Sequence, residues 1–155
     1  MFQKFDLEKG EFAFECIEDK TDHRFTVHVQ RGMSMVEMAN ASGIDKGENY
    51  SDNLLHLIVR VFTPVGSLYV ASFRETEGRV SELSFVIEDQ TPKEFADWLT
   101  RTFEVKFESK MRDTLSFLSF SKKFETKYYA TFPWGEIVCK YEVRENEPMF
   151  YIIWN

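Results

Sequence analysis

The chain contains 155 residues, carries a formal net charge of −7 and includes 16 phenylalanines. Its hydrophobic fraction of 43% is too high for a disordered chain, and four prolines with seven glycines exclude collagen-like or low-complexity sequence. A chain of this length usually forms one domain and buries about 70% of the surface that its unfolded form exposes, so it needs no disulfide or metal to fold.

The acidic charge is distributed unevenly. Residues 101–127 contain seven basic and four acidic side chains, a local charge of +3, which leaves −10 for the rest of the chain. An acidic chain is repelled by the phosphate backbone, and this disfavours a nucleic-acid partner. The positive segment is interpreted as a solvated face, with a docking surface for an acidic partner as the alternative.

The first eight residues lack the basic region and apolar run of a secretory signal. No apolar run approaches the roughly 20 residues that a membrane-spanning helix needs. We therefore expect a cytoplasmic protein without a membrane segment.

Alternating apolar residues predict an opening β-hairpin. Residues 12–16 and 25–29 each alternate between apolar and polar or small side chains. Ser34 is placed to cap a short helix that Gly43 would end. The polar segment 45–53 is then expected to form an exposed loop.

The middle of the chain predicts a three-stranded antiparallel meander. Its strands are expected at Leu54–Phe62, Ser67–Phe73 and 83–87, with a turn that contains Pro64 and Gly66. The first of these strands is apolar on both faces, so we expect it at the centre of a sheet that is covered on both sides.

The clearest local signal in the sequence is a helix start. Thr91 can cap the helix, Pro92 suits its first position and Glu94 can complete a capping box. The helix is expected to end between Phe103 and Phe107.

The following segment, residues 104–124, fits both a strand and a helix. We expect strand-like structure near 103–107 and a helix near 110–121.

The C-terminal third predicts three further strands, at 128–132, 137–143 and 149–154. The last strand is apolar on both faces, so it should be sheltered inside the sheet or paired with a partner. A homo-oligomer joined through this strand is therefore one hypothesis.

Taken together, these elements predict an α+β fold for residues 1–155. We expect a single domain with a curved antiparallel β-sheet, built from meanders, and two or three helices packed on it.

The sequence contains no nucleotide-binding or nucleophile-elbow motif. His23, His28 and His56 show no standard metal-ligand spacing, so neither a cofactor nor a metal is predicted. Cys16 and Cys139 both lie in alternating apolar runs, which favours buried free thiols. A single disulfide between them is the alternative.

His56 and Arg60 fall on one face of the predicted central strand, where both need partners. One interpretation is a structural pair that reaches a helix acid such as Glu94 or Asp97. The other is a small pocket that binds an anion, or a general acid–base site.

A small acidic chain without a catalytic signature favours a non-catalytic protein-binding module of the inhibitor, immunity or adaptor type, with a protein partner. No catalytic residue is assigned. The alternative is a small-molecule-binding protein or enzyme with a pocket around His56 and Arg60. The candidate binding residues are His56, Arg60, Tyr50, Trp134 and Trp154, because exposed aromatic and arginine side chains often anchor interfaces.

Overall fold

The computed structural model describes residues 1–45, 47, 50–111, 126–142 and 146–155. These residues form eleven strands and two helices. In chain order the elements are β1 Phe2–Asp6, β2 Glu11–Glu18, β3 Arg24–Gln30, α1 Met35–Ser42, β4 Tyr50–Ser51, β5 Leu54–Thr63, β6 Gly66–Thr76, β7 Arg79–Glu88, α2 Pro92–Phe103, β8 Glu108–Met111, β9 Thr126–Phe132, β10 Gly135–Tyr141 and β11 Pro148–Trp154.

The strands form one antiparallel sheet in the order β1-β2-β5-β6-β7-β11-β10-β9-β8, with β3 on β2 and β4 on β5. This confirms an α+β fold with an antiparallel sheet. It also confirms the hairpin β2–β3, the meander β5–β6–β7 and the three C-terminal strands. The described residues contain two helices, and most of the third, expected near 110–121, lies outside them. None of the helices in these ranges is long and apolar enough to cross a membrane.

Strand β2 has two different partners along one of its edges. β3 pairs along one edge of β2 from Glu11 to Ile17. On the opposite edge, β1 pairs with the first half of β2, and β5 pairs with Ile17 and Glu18. The sheet is bent so that the first hairpin, β1–β2, lies over the C-terminal strands, where the Phe12 ring lies 5.5 Å from that of Trp134.

The core lies inside this bend, and aromatic rings fill much of it. Helix α2 packs on β9, β10 and β11, and α1 packs on β3. Helix α2 has the predicted capping box, in which Thr91 and Glu94 bond each other's backbone. The fully buried phenylalanines are Phe12, Phe14, Phe73, Phe85, Phe95 and Phe150.

Strand β1 is not predicted by the alternation of apolar residues. A register irregularity between Phe2 and Lys4 interrupts its pairing with β2. Phe2 and Phe5, three positions apart, consequently stack on each other with ring centroids 5.5 Å apart. Phe5 also stacks on Phe103 at 4.3 Å, so β1 packs against the end of α2.

Two other local predictions differ from the structure. Phe103 is the last residue of α2, and residues 104–107 form no strand, because Glu104 leaves the helix in the left-handed conformation with φ 59°. The predicted loop 45–53 includes the short strand β4, and Lys46, Glu48 and Asn49 lie outside the described residues.

Strand β11 lies inside the sheet, as its apolar character predicts. It pairs with β7 along one edge and with β10 along the other. Neither edge of β11 is therefore open to a second chain, so a homo-oligomer cannot form by pairing at an edge of this strand.

Two indole hydrogen bonds hold the turn between β1 and β2 against the C-terminal strands. Trp134 Nε1 donates to the carbonyl oxygen of Leu7 at 2.8 Å, and Trp154 Nε1 donates to that of Gly10 at 2.9 Å. Gly10 also has a left-handed backbone, with φ 70°, and lies directly against the Trp134 ring. Both the conformation and the close approach require glycine.

We expect Gly10→Ala to destabilise the fold more than Gly43→Ala. A Cβ at Gly10 would lie 2.5 Å from Cδ2 of Trp134, whereas Gly43, with φ 68°, has nothing within 4 Å of that position. Gly43→Ala should therefore show the backbone strain alone, about 1–2 kcal/mol. The ring clash should add a further 1–3 kcal/mol or so to Gly10→Ala, measured by urea unfolding. Equal losses of stability in the two variants would contradict this account.

Candidate functional site

His56 and Arg60 share the outer face of β5, as predicted, but this face is open to solvent. Along β5 the odd-numbered residues from Leu55 to Val61 are buried, whereas the even-numbered ones point outward. Ile58 and Phe62 are 47% and 53% exposed. The prediction that both faces of this strand are covered is therefore wrong, because both helices pack on other strands.

His56 lies in a cavity of about 390 Å³ on the outer face of the sheet, which we call the central groove. Its Nδ1 lies 2.8 Å from Ser72 Oγ. His56, Ser72, Ser84 and Tyr151 are successive cross-strand partners on β5, β6, β7 and β11. The short serine side chains form a low floor between the larger side chains on either side. The groove is lined by His56, Ser72, Arg74, Ser84, Lys127 and Tyr151, among others.

Arg60 lies in a different cavity, of about 420 Å³, between β2 and β5. Its guanidinium lies 3.1 Å from a Glu88 oxygen, 3.6 Å from an Asp19 oxygen and 5.0 Å from the centre of the Tyr69 ring. The hydrogen bond to Glu88 raises the pKa of Arg60 above its usual value. The structure therefore does not bring His56 and Arg60 into one pocket.

The helix acids suggested as partners for this pair are engaged elsewhere. Glu94 completes the capping box of α2, and Asp97 forms an ion pair with Lys93 at 2.9 Å. The structural pairing predicted for His56 and Arg60 is therefore wrong in its partners, which are Ser72 for the first and Glu88 with Asp19 for the second.

Exposed apolar side chains lie on both sides of Arg60 along β5. We call the surface formed by Ile58, Arg60 and Phe62 the β5 face. Val65, in the turn after β5, is also exposed. A further cavity of about 380 Å³ lies beside Ile58 and is lined in part by Phe25. An arginine between exposed apolar side chains has the composition of a protein interface.

Tyr50 lies on β4 and is half-buried against the core. Its hydroxyl donates to Glu75 Oε1 at 3.2 Å, and burial together with this bond raises the pKa of Tyr50. The second oxygen of Glu75 accepts from the backbone N–H of Met35, the first residue of α1, at 2.8 Å. Tyr50 thus belongs to a junction that holds β4, β6 and α1 together.

Trp134 and Trp154 are 2% and 4% exposed. Their side chains pack in the core, and their indole N–H groups donate hydrogen bonds to carbonyl oxygens in the β1–β2 turn. Neither tryptophan is therefore available as an exposed interface anchor, because the bend of the sheet brings the first hairpin over both of them.

Cys16 and Cys139 are both free and buried, so the structure contains no disulfide between them. Burial raises the pKa of the Cys16 thiol to about 12 and also raises the pKa of Cys139. A buried, protonated thiol is a poor nucleophile, so both cysteines act as small apolar residues of the core.

Apart from His56, the residues named for the central groove could not be found from sequence spacing. Ser72, Ser84 and Tyr151 come together only because β11 inserts beside β7, a pairing between strands that are far apart in the chain. The alternation along a strand indicates which residues share a face, but it does not show which strands are neighbours.

Comparison of the chain with protein-family models, with curated proteins and with solved structures found no match. The functional argument therefore depends on the geometry of the two outer surfaces, the β5 face and the central groove.

We expect Glu75→Gln to lower the free energy of unfolding by about 1–3 kcal/mol, because it removes a charged acceptor from Tyr50 or from the start of α1. Glu77→Gln, at an exposed position two residues away, should change stability by less than about 0.5 kcal/mol. Chemical unfolding of both variants measures the difference. A loss in Glu75→Gln no larger than in Glu77→Gln would show that the junction does not stabilise the fold.

We expect neither cysteine to react with a thiol reagent in the folded chain at about pH 8, because a raised pKa keeps each thiol protonated there. Both should react after unfolding in guanidinium without reductant. Absorbance of the released thiolate from Ellman's reagent measures the reaction. Rapid labelling of the folded chain, or no labelling of the unfolded one, would contradict buried free thiols.

Proposed function

We propose that this chain is a non-catalytic protein-binding module, of the inhibitor, immunity or adaptor type, that binds a basic partner through the β5 face. The observation that carries this proposal is the exposure of Ile58 and Phe62, about half of each side chain, on a long strand of the sheet. Clustered exposed apolar side chains with a polar rim are typical of interaction surfaces.

Arg60 suits the centre of such a surface. Contacts with Glu88, Asp19 and the Tyr69 ring hold its guanidinium in place before any partner binds. Because the side chain is already ordered, little conformational entropy remains to be lost on binding. Arginine and tyrosine are among the side chains that most often carry interface energy.

The charge around the β5 face indicates the chemistry of the partner. Four carboxylates lie around it, at Glu18, Asp19, Asp22 and Glu88, against the two cations Arg24 and Arg60, and the whole chain carries −7. An acidic rim attracts a basic surface over a distance and accelerates encounter at low salt. We therefore propose a partner with basic side chains around an apolar centre.

The alternative, a small-molecule or catalytic pocket that contains both His56 and Arg60, has less support. The two residues line separate cavities, and Arg60 is already engaged by two carboxylates. The surface properties of β5 therefore favour the protein-binding proposal.

We expect Phe62→Asp to weaken partner binding at least about tenfold, because it places a charge at the apolar part of the interface. Val36→Asp, at a position that is 49% exposed on α1, is the matched control and should bind as the unchanged chain does. Immobilised chain would be used to capture partners from an extract of the source organism, followed by titration at low and high salt.

The captured partner should be basic and should bind less tightly as salt increases. Equal binding by the Phe62→Asp and Val36→Asp variants would overturn the assignment of the β5 face. An acidic partner, or affinity that does not depend on salt, would overturn the charge argument.

A further inference from the structure

The central groove is separate from the β5 face and has the dimensions of a ligand site. It extends over β5, β6, β7, β11, β10 and β9, which is about 24 Å at a strand spacing of about 4.8 Å. Its volume of about 390 Å³ falls within the range of roughly 300–1,000 Å³ that small-molecule sites show.

The charges in the groove differ in sign from those of the whole chain. Three basic side chains line it, Arg74, Lys127 and Lys140, against two acidic ones, Glu82 and Glu142. Counted over its described lining residues, the groove carries a net charge of +1 with His56 neutral, in a chain that carries −7 overall. A positive groove in an acidic protein favours entry of an anion.

The two carboxylates in the groove already have partners. Glu82 lies 3.6 Å from Nε of Arg74, and Glu142 accepts a hydrogen bond from the Tyr151 hydroxyl at 2.9 Å. At 3.6 Å this contact between Arg74 and Glu82 is longer than a hydrogen bond and the Arg74 side chain is exposed, so its guanidinium can still donate to a ligand.

Lys127 provides a second source of positive charge. Its ammonium group lies 5.4 Å from the centre of the Tyr129 ring and forms no ion pair among the described residues. A cation bound nearby would be repelled by this group. The described residues also contain no cluster of three or more side chains suited to hold a metal ion. These observations favour an anionic ligand over a cationic one.

The groove offers polar side chains for the charged group of an organic anion and apolar side chains for its carbon skeleton. The hydroxyls of Ser72 and Ser84 line the groove and can donate to charged oxygens, the first of them in the tautomer in which His56 Nδ1 is the donor to Ser72 Oγ. Met149 and Ile153 supply apolar surface beside the serines, against which a carbon skeleton can pack.

We infer that the central groove binds a small organic molecule with an apolar body and an anionic phosphate or carboxylate group. Lys127 and Arg74 neutralise the charge, and the serine hydroxyls hydrogen-bond the oxygens. This inference goes beyond the proposed protein-binding function and does not depend on it, because Ile58, Arg60 and Phe62 lie outside the groove.

Titration of the isotope-labelled chain with phenyl phosphate, benzoate and benzyl alcohol tests this inference by nuclear magnetic resonance. The three probes share an aromatic body and differ in the charged group. We expect phenyl phosphate, benzoate or both to shift the amide signals of Ser72, Ser84 and Tyr151 in a saturable way. The anion that saturates at lower concentration identifies the preferred group. Benzyl alcohol should cause no saturable shift.

Charge-reversal variants provide the matched comparison. Lys127→Glu and Arg74→Glu should each raise the dissociation constant at least about tenfold, because each removes a charge-assisted hydrogen bond. Lys106→Glu, an exposed lysine outside the groove, should leave it within about twofold, since surface charges far from a site act weakly through salt. Unchanged amide signals elsewhere confirm that the variants are folded.

Three results would overturn the inference. The first is the absence of saturation with both anions up to about 20 mM, which is weaker than ordinary millimolar binding. The second is an equal response to benzyl alcohol, which would show that charge plays no part. The third is an equal loss of affinity in Lys106→Glu and Lys127→Glu, which would show that overall charge rather than the groove attracts the anion.

Discussion

The fold depends on two buried donors that must be satisfied, the indole N–H groups of Trp134 and Trp154. Both rings lie in the core, where a donor without an acceptor costs several kcal/mol by transfer scales. Their acceptors are the carbonyl oxygens of Leu7 and Gly10, in the turn between β1 and β2. Satisfying both indoles brings the first hairpin over the C-terminal strands. That closure gives the sheet its bend, and the bend decides which surfaces remain open.

The bend separates the core from the surfaces with functional potential. The apolar side chains of β5, β7 and β11 point into the bend, where α2 packs on β11. Neither helix covers the outer face of β5, which is left open. The β5 face and the central groove both lie on this outer face. Arg60 is fixed by ion pairs in the first, and His56 is fixed by a serine in the second. One strand thus contributes to two surfaces of different chemistry.

Local signals predicted much of this fold, and nonlocal pairing accounts for most of the rest. The capping box at Thr91 and the alternation along β5, β6 and β7 depend on neighbouring residues, so the sequence alone is enough to predict them. Strand β1 was missed because an irregularity breaks its alternation. The burial of Trp134 and the cross-strand neighbours His56, Ser72, Ser84 and Tyr151 depend on pairing between strands that are far apart in the sequence. The periodicity of apolar residues does not show which distant strands pair.

The position of the Trp154 acceptor also has a consequence for how the chain folds. Trp154 and Gly10 are separated by 144 positions, so the hydrogen bond between them closes a loop of nearly the whole chain. During synthesis the first hairpin leaves the ribosome well before Trp134 and Trp154. Its bond from Trp154 to Gly10 cannot form until the last strand is made. Folding with such distant contacts is slow, and unpaired strand edges are exposed to other chains in the meantime. Completion of the last strand is therefore the step that ends this vulnerable interval.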